Sequence, residues 1–272
     1  MKRLALFILV LNQYLLLFAQ ASDILHPNSD FGDPTPDEFA MTVYPYDSTA
    51  TAIVLYKKTT VDYNWVGEDF QITYHNQKRI KILKEEGKAY ANVEIPFLLS
   101  RTNRNINEAI LGLEAYTYNL ENGKVTRTKM KKGSVFEERL NDNYIVQKFT
   151  VPQVKVGSII EYEYKIASNL YTQIRPWMAQ EDIPVQYGEF ECTIPKYFKF
   201  HLSRRGDIQF TPNIEKTKIF NIDGNFVRCP ATRMLFTCDL MPAVEKDDFI
   251  WCLDNHIAQI NLELLGYDFS VY

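Results

Sequence analysis

Two groups of side chains have residue types and spacings suited to acid–base or nucleophilic chemistry. Glu161 and Glu163 lie two positions apart in the segment VPQVKVGSIIEYEYKI, and Cys252, Asp254 and His256 lie two positions apart in the segment WCLDNHIAQ. A pair of carboxylates can divide the roles of general acid and general base. A cysteine near a histidine can form a nucleophilic dyad or part of a metal site. Both interpretations depend on the strands that carry these residues.

The carboxylates of Glu161 and Glu163 also have a simple structural interpretation. Alternate side chains of a β-strand point to opposite faces. In SIIEYEYKI the even positions from Ile160 to Ile166 are apolar or aromatic, and the odd positions from 161 onward are Glu161, Glu163 and Lys165. A catalytic pair needs environments that separate its two pKa values, and a solvated face that also carries a lysine does not provide them. We therefore expect both glutamates on the solvent-exposed face of a strand.

The group Cys252, Asp254 and His256 would likewise share one face of a strand. Along a single strand these residues are far apart for direct proton transfer unless their side chains converge. The simpler interpretation is a strand with mixed residues on one face, so they stand as catalytic candidates only. The chain has no Cys-x-x-Cys pair, no glycine-rich phosphate loop and no Gly-x-Ser-x-Gly elbow, and we predict neither a metal site nor a cofactor.

Residues 1–21 have the features of a secretory signal peptide. Lys2 and Arg3 precede an apolar stretch, and Ala19 and Ala21 fit the small-x-small cleavage pattern. The apolar stretch is shorter than the ~20 residues that a membrane span needs. No cysteine follows the cleavage site to accept a lipid anchor. We therefore expect a periplasmic or secreted chain with no membrane span after cleavage.

The charge balance argues against nucleic acid as a partner. The whole chain has a formal net charge of −4, and loss of Lys2 and Arg3 with the signal peptide (−4 − 2) lowers it to −6. Nucleic-acid binding is driven by clustered Lys and Arg. The one dense basic run, at residues 129–132, lies beside a turn and is balanced by Glu137 and Glu138. We interpret it as the solvated end of a hairpin.

The four cysteines leave two possibilities open. An exported protein with an even number of cysteines can form disulfides, and four cysteines allow three pairings. Cys229 and Cys238 are close enough in sequence to bridge neighbouring strands. Free, buried cysteines that behave as small hydrophobic residues are equally compatible with the sequence. The full set is Cys192, Cys229, Cys238 and Cys252.

The pattern of apolar residues predicts an all-β fold with one short N-terminal helix. In the leader, residues 22–50, Thr35 can cap a helix that has Pro36 at its first position and Glu38 in a capping box. Residues 51–272 alternate with period two, and 14% of the chain is aromatic, which favours strands. Hairpin turns are predicted at residues 66–68, 122–123 and 223–224. We predict an antiparallel β-sandwich of many strands over residues 51–272.

A series of short motifs resembles one bacterial family of exported domains of unknown function that precede transglutaminase-like domains. The central motif is a Pro, a spacer, Gly-Ser, two apolar residues and Glu-Tyr-x-Tyr, and further pieces follow the family's order over roughly 190 residues. The matching positions are Ala115, Thr117, Gly123, Lys124, Pro152, Gly157, Ser158, Glu161, Tyr162, Tyr164, Trp177, Gln180, Pro184, Val185, Pro195, Pro242 and Ala243.

The resemblance implies structural roles for these residues and no catalytic ones. Members of the family are β-rich modules ahead of a papain-like transglutaminase or peptidase domain, whose Cys-His-Asp triad would perform the chemistry. Gly157 is expected in a turn before a strand, the two tyrosines in the core, and Pro184 and Pro195 at strand ends. The alternating pattern continues to the last residues, with Ala258, Ile260, Leu262 and Leu264 on one face, and we expect a fragment of a longer protein.

Three hypotheses about function follow. The first is a non-catalytic exported module that binds or positions a protein, peptide or glycan for a transglutaminase-like domain in cis or in trans. The second is the N-terminal part of a cysteine-peptidase or transglutaminase-like enzyme whose catalytic half is absent from this sequence. The third is a stand-alone carbohydrate- or peptide-binding protein, for which Tyr171, Trp177 and Tyr187 are the candidate contacts, although core packing would also explain these rings.

Overall fold

The structure, a computed structural model, describes residues 30–103, 106–217, 220–222, 225–227, 230–244 and 257–268. In the first half the strands are β1 (Ala52–Val66), β2 (Asp69–Ile82), β3 (Asn92–Leu98), β4 (Glu108–Glu121), β5 (Lys124–Lys129), β6 (Val135–Arg139), β7 (Tyr144–Thr150) and β8 (Ile159–Ser168). In the second half they are β9 (Trp177–Met178), β10 (Val185–Pro195), β11 (Phe198–Arg205), β12 (Thr211–Thr217), β13 (Phe220–Ile222), β14 (Asn225–Val227), β15 (Ala231–Met241) and β16 (Gln259–Tyr267). The helices are α1 (Pro36–Ala40) and the 3-10 helices η1 (Glu86–Ala91) and η2 (Lys132–Ser134).

One large sheet and two small sheets make up the fold. The large sheet has the strand order β12-β15-β10-β1-β2-β8-β4-β5, with β13 and β14 attached beside β1. The small sheets have the orders β11-β16-β9 and β3-β7-β6. The predicted all-β class with a short helix is confirmed. The large sheet is mixed, because β1 pairs in parallel with β10 and β13, whereas its other pairs are antiparallel.

The hairpin turns that are visible in the sequence connect adjacent strands. β1 and β2 pair along their full length around the turn at Gly67. Asn122 and Gly123 connect β4 to β5 with φ angles of 50° and 75°, the positive values that a type I′ turn requires. β13 pairs with β14 around the predicted turn at residues 223–224, which itself lies outside the described residues.

Each face of the large sheet is covered by different elements. Both small sheets pack on one face, where their apolar residues join a single hydrophobic cluster with those of β1, β2, β8 and β10. Residues 31–50 pack on the other face, where Phe31, Phe39 and Tyr44 contact a second cluster around Leu55 and Ile159. None of the helices in the described ranges is long and apolar enough to cross a membrane.

Helix α1 begins at the predicted capping box. The Thr35 hydroxyl accepts a hydrogen bond from the Glu38 N–H at 3.2 Å, and the Glu38 carboxylate accepts one from the Thr35 N–H at 2.6 Å. Pro36 occupies the first turn, where its missing N–H costs nothing. The same Glu38 side chain is buried against the large sheet, so the cap also fixes the position of the helix.

A register shift in β1 changes which side chains face the small sheets. Val54 packs in the cluster beneath the small sheets, whereas Tyr56, two residues later, points to the opposite face and hydrogen-bonds Glu161. The irregularity lies between these two residues. A bulge of this kind adds one residue to a strand and changes the phase of its alternation. Lys57 and Thr59 consequently lie on the same face as Val54.

Gly87 provides a test of the close packing of η1 against the chain at the start of β1. A Cβ atom there would lie 2.2 Å from the backbone oxygen of Thr51, so Gly87→Ala should lower the free energy of unfolding by about 1–3 kcal/mol. A Cβ atom at Gly133 in η2 would have no other atom within 4 Å, so Gly133→Ala should change the free energy of unfolding by less than about 0.5 kcal/mol. Urea unfolding of both variants measures the difference. Equal stabilities would contradict the close approach of η1 to β1.

Candidate functional site

The two small sheets leave a cleft between them on the face of the large sheet that they share. At one end Phe149 of β7 contacts Tyr162, with ring centroids 6.0 Å apart, and at the other end Phe198 of β11 contacts Tyr63 at 4.9 Å. The space between has a volume of about 300 Å³ and is bordered by β3 and by the segment Arg175–Met178. This is within the size range of small-ligand sites.

The floor of the cleft is polar, although it continues a core face. Tyr74 and Ile80 of β2 belong to the hydrophobic cluster, but Asn76 and Lys78 stand between them on the same face. On β1 the corresponding positions carry Lys57 and Thr59. The Thr59 hydroxyl donates to the Asn76 Oδ1 at 2.9 Å. A stripe of polar side chains thus crosses the sheet where apolar residues would complete the core.

Two lysines face each other directly across the β1–β2 ladder. Lys57 and Lys78 are cross-strand partners, and both ammonium groups donate to the Glu181 Oε1, at 2.6 Å and 2.5 Å. Like charges in directly opposed positions destabilise a sheet, so the carboxylate is required here. Burial alone would raise the pKa of Glu181, but the two ammonium groups outweigh it and hold the pKa at about 2. Desolvation lowers the pKa of Lys57.

Aromatic side chains form the walls of the cleft. The Trp177 indole stacks on Phe190 with centroids 5.7 Å apart, and the Lys57 Nζ lies 5.8 Å from the indole centroid. Trp177 is 5% exposed, and its Nε1 has no hydrogen-bond partner among the residues that the structure describes. A buried N–H donor without a partner is costly. Tyr162 and Tyr164 stack on the opposite side at 6.5 Å.

Glu161 lies on the other face of the large sheet and is completely buried, so the prediction that it is solvent-exposed is wrong. Its Oε1 accepts hydrogen bonds from the Tyr56 hydroxyl and the Arg79 Nη2, both at 2.7 Å. Its Oε2 accepts them from the Gly32 N–H at 2.8 Å and the Tyr118 hydroxyl at 3.1 Å. Residues more than 100 positions away supply two of these donors, which a local pattern cannot reveal.

Arg79 connects the N-terminal segment to this buried cluster. Its Nη1 donates to both Glu38 oxygens at 3.1 Å, and its Nη2 donates to the Asp30 carbonyl at 2.7 Å. Burial raises the pKa of Glu38 and lowers that of the neighbouring Lys81 to about 8. Lys81 donates to the carbonyls of Phe39 and of residue 157. The cluster attaches residues 30–50 to the sheet and is closed to any substrate.

Glu163 is half-buried and is not part of that cluster. Its Oε2 lies 3.0 Å from the His75 Nε2 and 2.9 Å from the Gln77 Nε2. Because Glu161 is fully enclosed and bonded to several donors, the two carboxylates do not share an accessible site. The interpretation of the pair as structural rather than catalytic is consistent with this arrangement.

The three rings considered as a binding platform do not lie on one surface. Trp177 lies in the cleft, over the face of β10 that carries Gly188 and Phe190. Tyr187 belongs to the alternate set of β10 side chains, and its hydroxyl donates to Glu189 at 2.8 Å. Tyr171 is half-buried against Phe70 and Phe198. Of the three, the structure brings only Trp177 into the cleft.

Two of the four cysteines are described, and both are free and buried. Burial raises the pKa of Cys192, and it raises that of Cys238 to about 12, so both thiols act as small hydrophobic groups. The possible bridge between Cys229 and Cys238 stays a prediction, because only Cys238 is among the described residues. Cys229 lies outside the described residues, as does the whole candidate group Cys252, Asp254 and His256. Among the described residues no three His, Cys, Asp or Glu side chains are grouped as metal ligands.

The motif prolines and the motif glycine of the central segment lie where turns and strand ends require them. Strand β10 begins directly after Pro184 and ends at Pro195. Gly157 has a φ of 88° in the turn before β8, and the Pro152 carbonyl accepts from the Thr117 hydroxyl at 2.5 Å.

Other motif residues contact one another across the sheets. Tyr162 pairs with the buried Ala115 across the β4–β8 ladder. The Gln180 side chain donates to the Pro242 carbonyl at 3.2 Å and accepts from the Ala258 N–H at 3.0 Å, which fixes the segment that presents Glu181.

Comparison with known proteins identifies the family. Residues 68–224 match the family described as a domain of unknown function with solved structure, DUF3857, over more than half of the 272 residues. The chain belongs to the DUF3857 family. The predicted resemblance to a family of unknown function is confirmed to this extent, and the link to transglutaminase-like domains stays a prediction. No curated protein matches the sequence.

One solved structure with a similar fold is that of a putative protease from Parabacteroides distasonis. It matches with a TM-score of 0.60 and 13% sequence identity, over 78% of this chain and 40% of that chain. At this identity the likeness concerns the fold. The matched part of the chain therefore covers less than half the length of that protein.

The sharing of Glu181 by two lysines predicts a dependence of stability on pH. A carboxylate whose pKa falls from 4.5 to about 2 on folding adds about 3 kcal/mol to the free energy of unfolding above pH 4.5. This contribution disappears as the pH falls towards 2. Glu181→Gln should therefore unfold more easily at neutral pH, and its curve should converge with the wild-type curve near pH 2. Denaturant unfolding between pH 2 and 7 measures this, with Glu121→Gln, from an exposed ion pair with Lys155, as the control.

The contrast between Glu161 and Glu163 supplies another prediction. Glu161→Gln removes the charge that balances the buried Arg79 and should cost about 3–5 kcal/mol. Glu163→Gln, two residues along the same strand, should cost about 1 kcal/mol or less, because its partners are partly solvated. The free energies of unfolding of the two variants can be compared directly. Similar losses for both would contradict the complete burial of Glu161.

Proposed function

We propose that this chain is a non-catalytic exported recognition module that binds a peptide, protein or glycan in the cleft between its small sheets. It would hold that ligand for a transglutaminase-like or protease-like catalytic region, in cis or in trans. Export rests on the signal-peptide features of residues 1–21. The association with a catalytic region rests on the motif resemblance, and the fold shared with part of a putative protease is consistent with it.

The single observation that carries the proposal is the polar interruption of an apolar face. Lys57, Thr59, Asn76 and Lys78 occupy positions where the neighbouring rows of the same strands are apolar. A sandwich core gains most from apolar side chains at such positions, and polar ones there reduce stability unless they are bonded. Polar groups that converge between aromatic walls are typical of ligand sites.

A second candidate function is the N-terminal part of a cysteine-peptidase or transglutaminase-like enzyme. The observation that favours it is the coverage of the structural match, which extends over 40% of the P. distasonis protein. Under this hypothesis the cleft would be a substrate subsite of a larger enzyme. Hydrolysis or cross-linking of peptides by the purified chain alone would contradict the non-catalytic module, whereas the second function predicts such activity only when the catalytic half is joined to the chain.

Blocking the cleft tests the proposed function. Asn76→Trp places an indole over the polar floor, so ligands detected on peptide and glycan arrays with the wild-type chain should lose at least about tenfold in affinity. Asn213→Trp, on the exposed edge strand β12, is the matched control and should leave the affinity unchanged. Circular dichroism and urea unfolding check that both variants fold. Array binding that is insensitive to Asn76→Trp would overturn the assignment of the cleft.

A further inference from the structure

The cleft contains one more positive charge than negative charge at its polar centre. Lys57 and Lys78 share a single carboxylate oxygen, so Glu181 neutralises one of the two ammonium groups. The other charged residues of the cleft wall have partners of their own: Lys58 pairs with Glu189, Arg175 with the buried Glu108, and Glu94 with Lys148. The Lys57 and Lys78 side chains are only 13% and 21% exposed. At such low exposure water screens the surplus charge poorly, so a second anion would be favourable.

Hydrogen-bond donors remain for such an anion. An ammonium group has three N–H donors, and those of Lys57 reach two acceptors among the described residues, the Glu181 Oε1 and the Met178 carbonyl at 2.9 Å. The buried Trp177 Nε1 is a further donor without a partner in the described chain, and its indole lies beside the Lys57 ammonium. Lys57 and Trp177, the residues that carry these donors, come from two different elements and line the same cleft.

The group that neutralises one of the two lysines indicates which kind of anion the second would bind. Glu181 is a carboxylate on a peptide, and it comes from the connection between β9 and β10 rather than from the sheet. Its own main chain is fixed by a hydrogen bond of 2.7 Å from the Val244 N–H to the Glu181 carbonyl. A carboxylate is therefore a group that these two ammonium groups bind.

The borders of the cleft favour a peptide over a glycan. β3 and β9 are terminal strands of their small sheets, and both border the cleft. A terminal strand offers main-chain groups to an extended peptide, a recurring mode of peptide recognition. Pro96 within β3 is typical of an edge strand.

We propose that the cleft binds a peptide through a carboxylate group, which is held by the ammonium groups of Lys57 and Lys78 and by the indole N–H of Trp177. This inference rests on the proposed function and assigns the ligand class of the same site. The peptide carboxylate would lie beside Glu181 and neutralise the second lysine. Aromatic rings of Trp177 and Tyr164 would contact the flanking apolar atoms.

The test uses the full chain and three probes, followed through the indole N–H signal of Trp177 in NMR spectra. The signal is assigned with Trp177→Phe, since the chain has three tryptophans. The probes are the peptide acetyl-Ala-Glu-Ala-amide, its uncharged match acetyl-Ala-Gln-Ala-amide, and glucuronic acid as the carboxylate of a glycan. We expect the Glu peptide to shift this signal with an affinity at least about tenfold higher than either of the other two.

Charge variants separate binding from a merely structural role. Lys57→Met and Lys78→Met each leave one lysine paired with Glu181, so the surplus charge disappears and the affinity for the Glu peptide should fall at least about tenfold. Glu181→Gln raises the surplus charge and should strengthen binding, which loss of fold would not do. Lys129→Met, on the exposed hairpin strand β5, changes the net charge equally and should have no effect.

The outcomes distinguish this inference from the proposed function. Equal affinity for the Glu and Gln peptides, or tighter binding of glucuronic acid than of the Glu peptide, would overturn the peptide-carboxylate assignment. If the array ligands still bound Asn76→Trp more weakly than the wild type, the proposed function would stand without the peptide-carboxylate assignment. If Asn76→Trp had no effect on any array ligand, the proposed function itself would fail.

Discussion

The buried ion pair between Arg79 and Glu161 is the interaction on which the arrangement of the large sheet depends. Both side chains are fully enclosed, and desolvating two charges costs several kcal/mol per ion unless the remaining donors and acceptors are satisfied. Glu38, Tyr56, Tyr118 and the backbone of residues 30–32 provide those partners. The N-terminal segment is therefore an integral part of the fold, because without it the pair would face water on one side and lose half of its bonds.

The two faces of the large sheet use charge in different ways. On the covered face Arg79 and Lys81 are matched by Glu161 and Glu38, so the cluster is neutral and closed. On the cleft face two lysines meet one glutamate, and the space above them is open. Adjacent residues of the same strand, Lys78 and Arg79, belong to the two opposite arrangements. A saturated cluster indicates a structural role, and an unsaturated one beside a cavity indicates a site for a ligand.

Local features of the fold could be predicted from the sequence, and long-range ones could not. The capping box at Thr35 and the turn at Asn122 depend on residues within a few positions, and both form as expected. The parallel pairing of β1 with β10 and the burial of Glu161 depend on segments more than 100 positions apart. Alternation alone assigned Glu161 to solvent because it cannot show that the leader covers that face.

One feature of the cleft can be recognised from the alternation of residues in the sequence. Along β2 one face reads Phe70, Ile72, Tyr74, Asn76, Lys78, Ile80 and Ile82. Two polar residues in the middle of such a run mark a position where the core is interrupted. Trp177 was singled out for its residue type, but its place beside Lys57 follows from β9 joining β16, which is not encoded locally.

The bulge between Val54 and Tyr56 places side chains of β1 correctly in both the closed cluster and the cleft. One extra residue sends Tyr56 to Glu161 and leaves Lys57 opposite Lys78. Restoring regular alternation by deleting a residue there would keep either the tyrosine or the lysine on its proper side, but not both. The length of this strand is thus under a parity constraint.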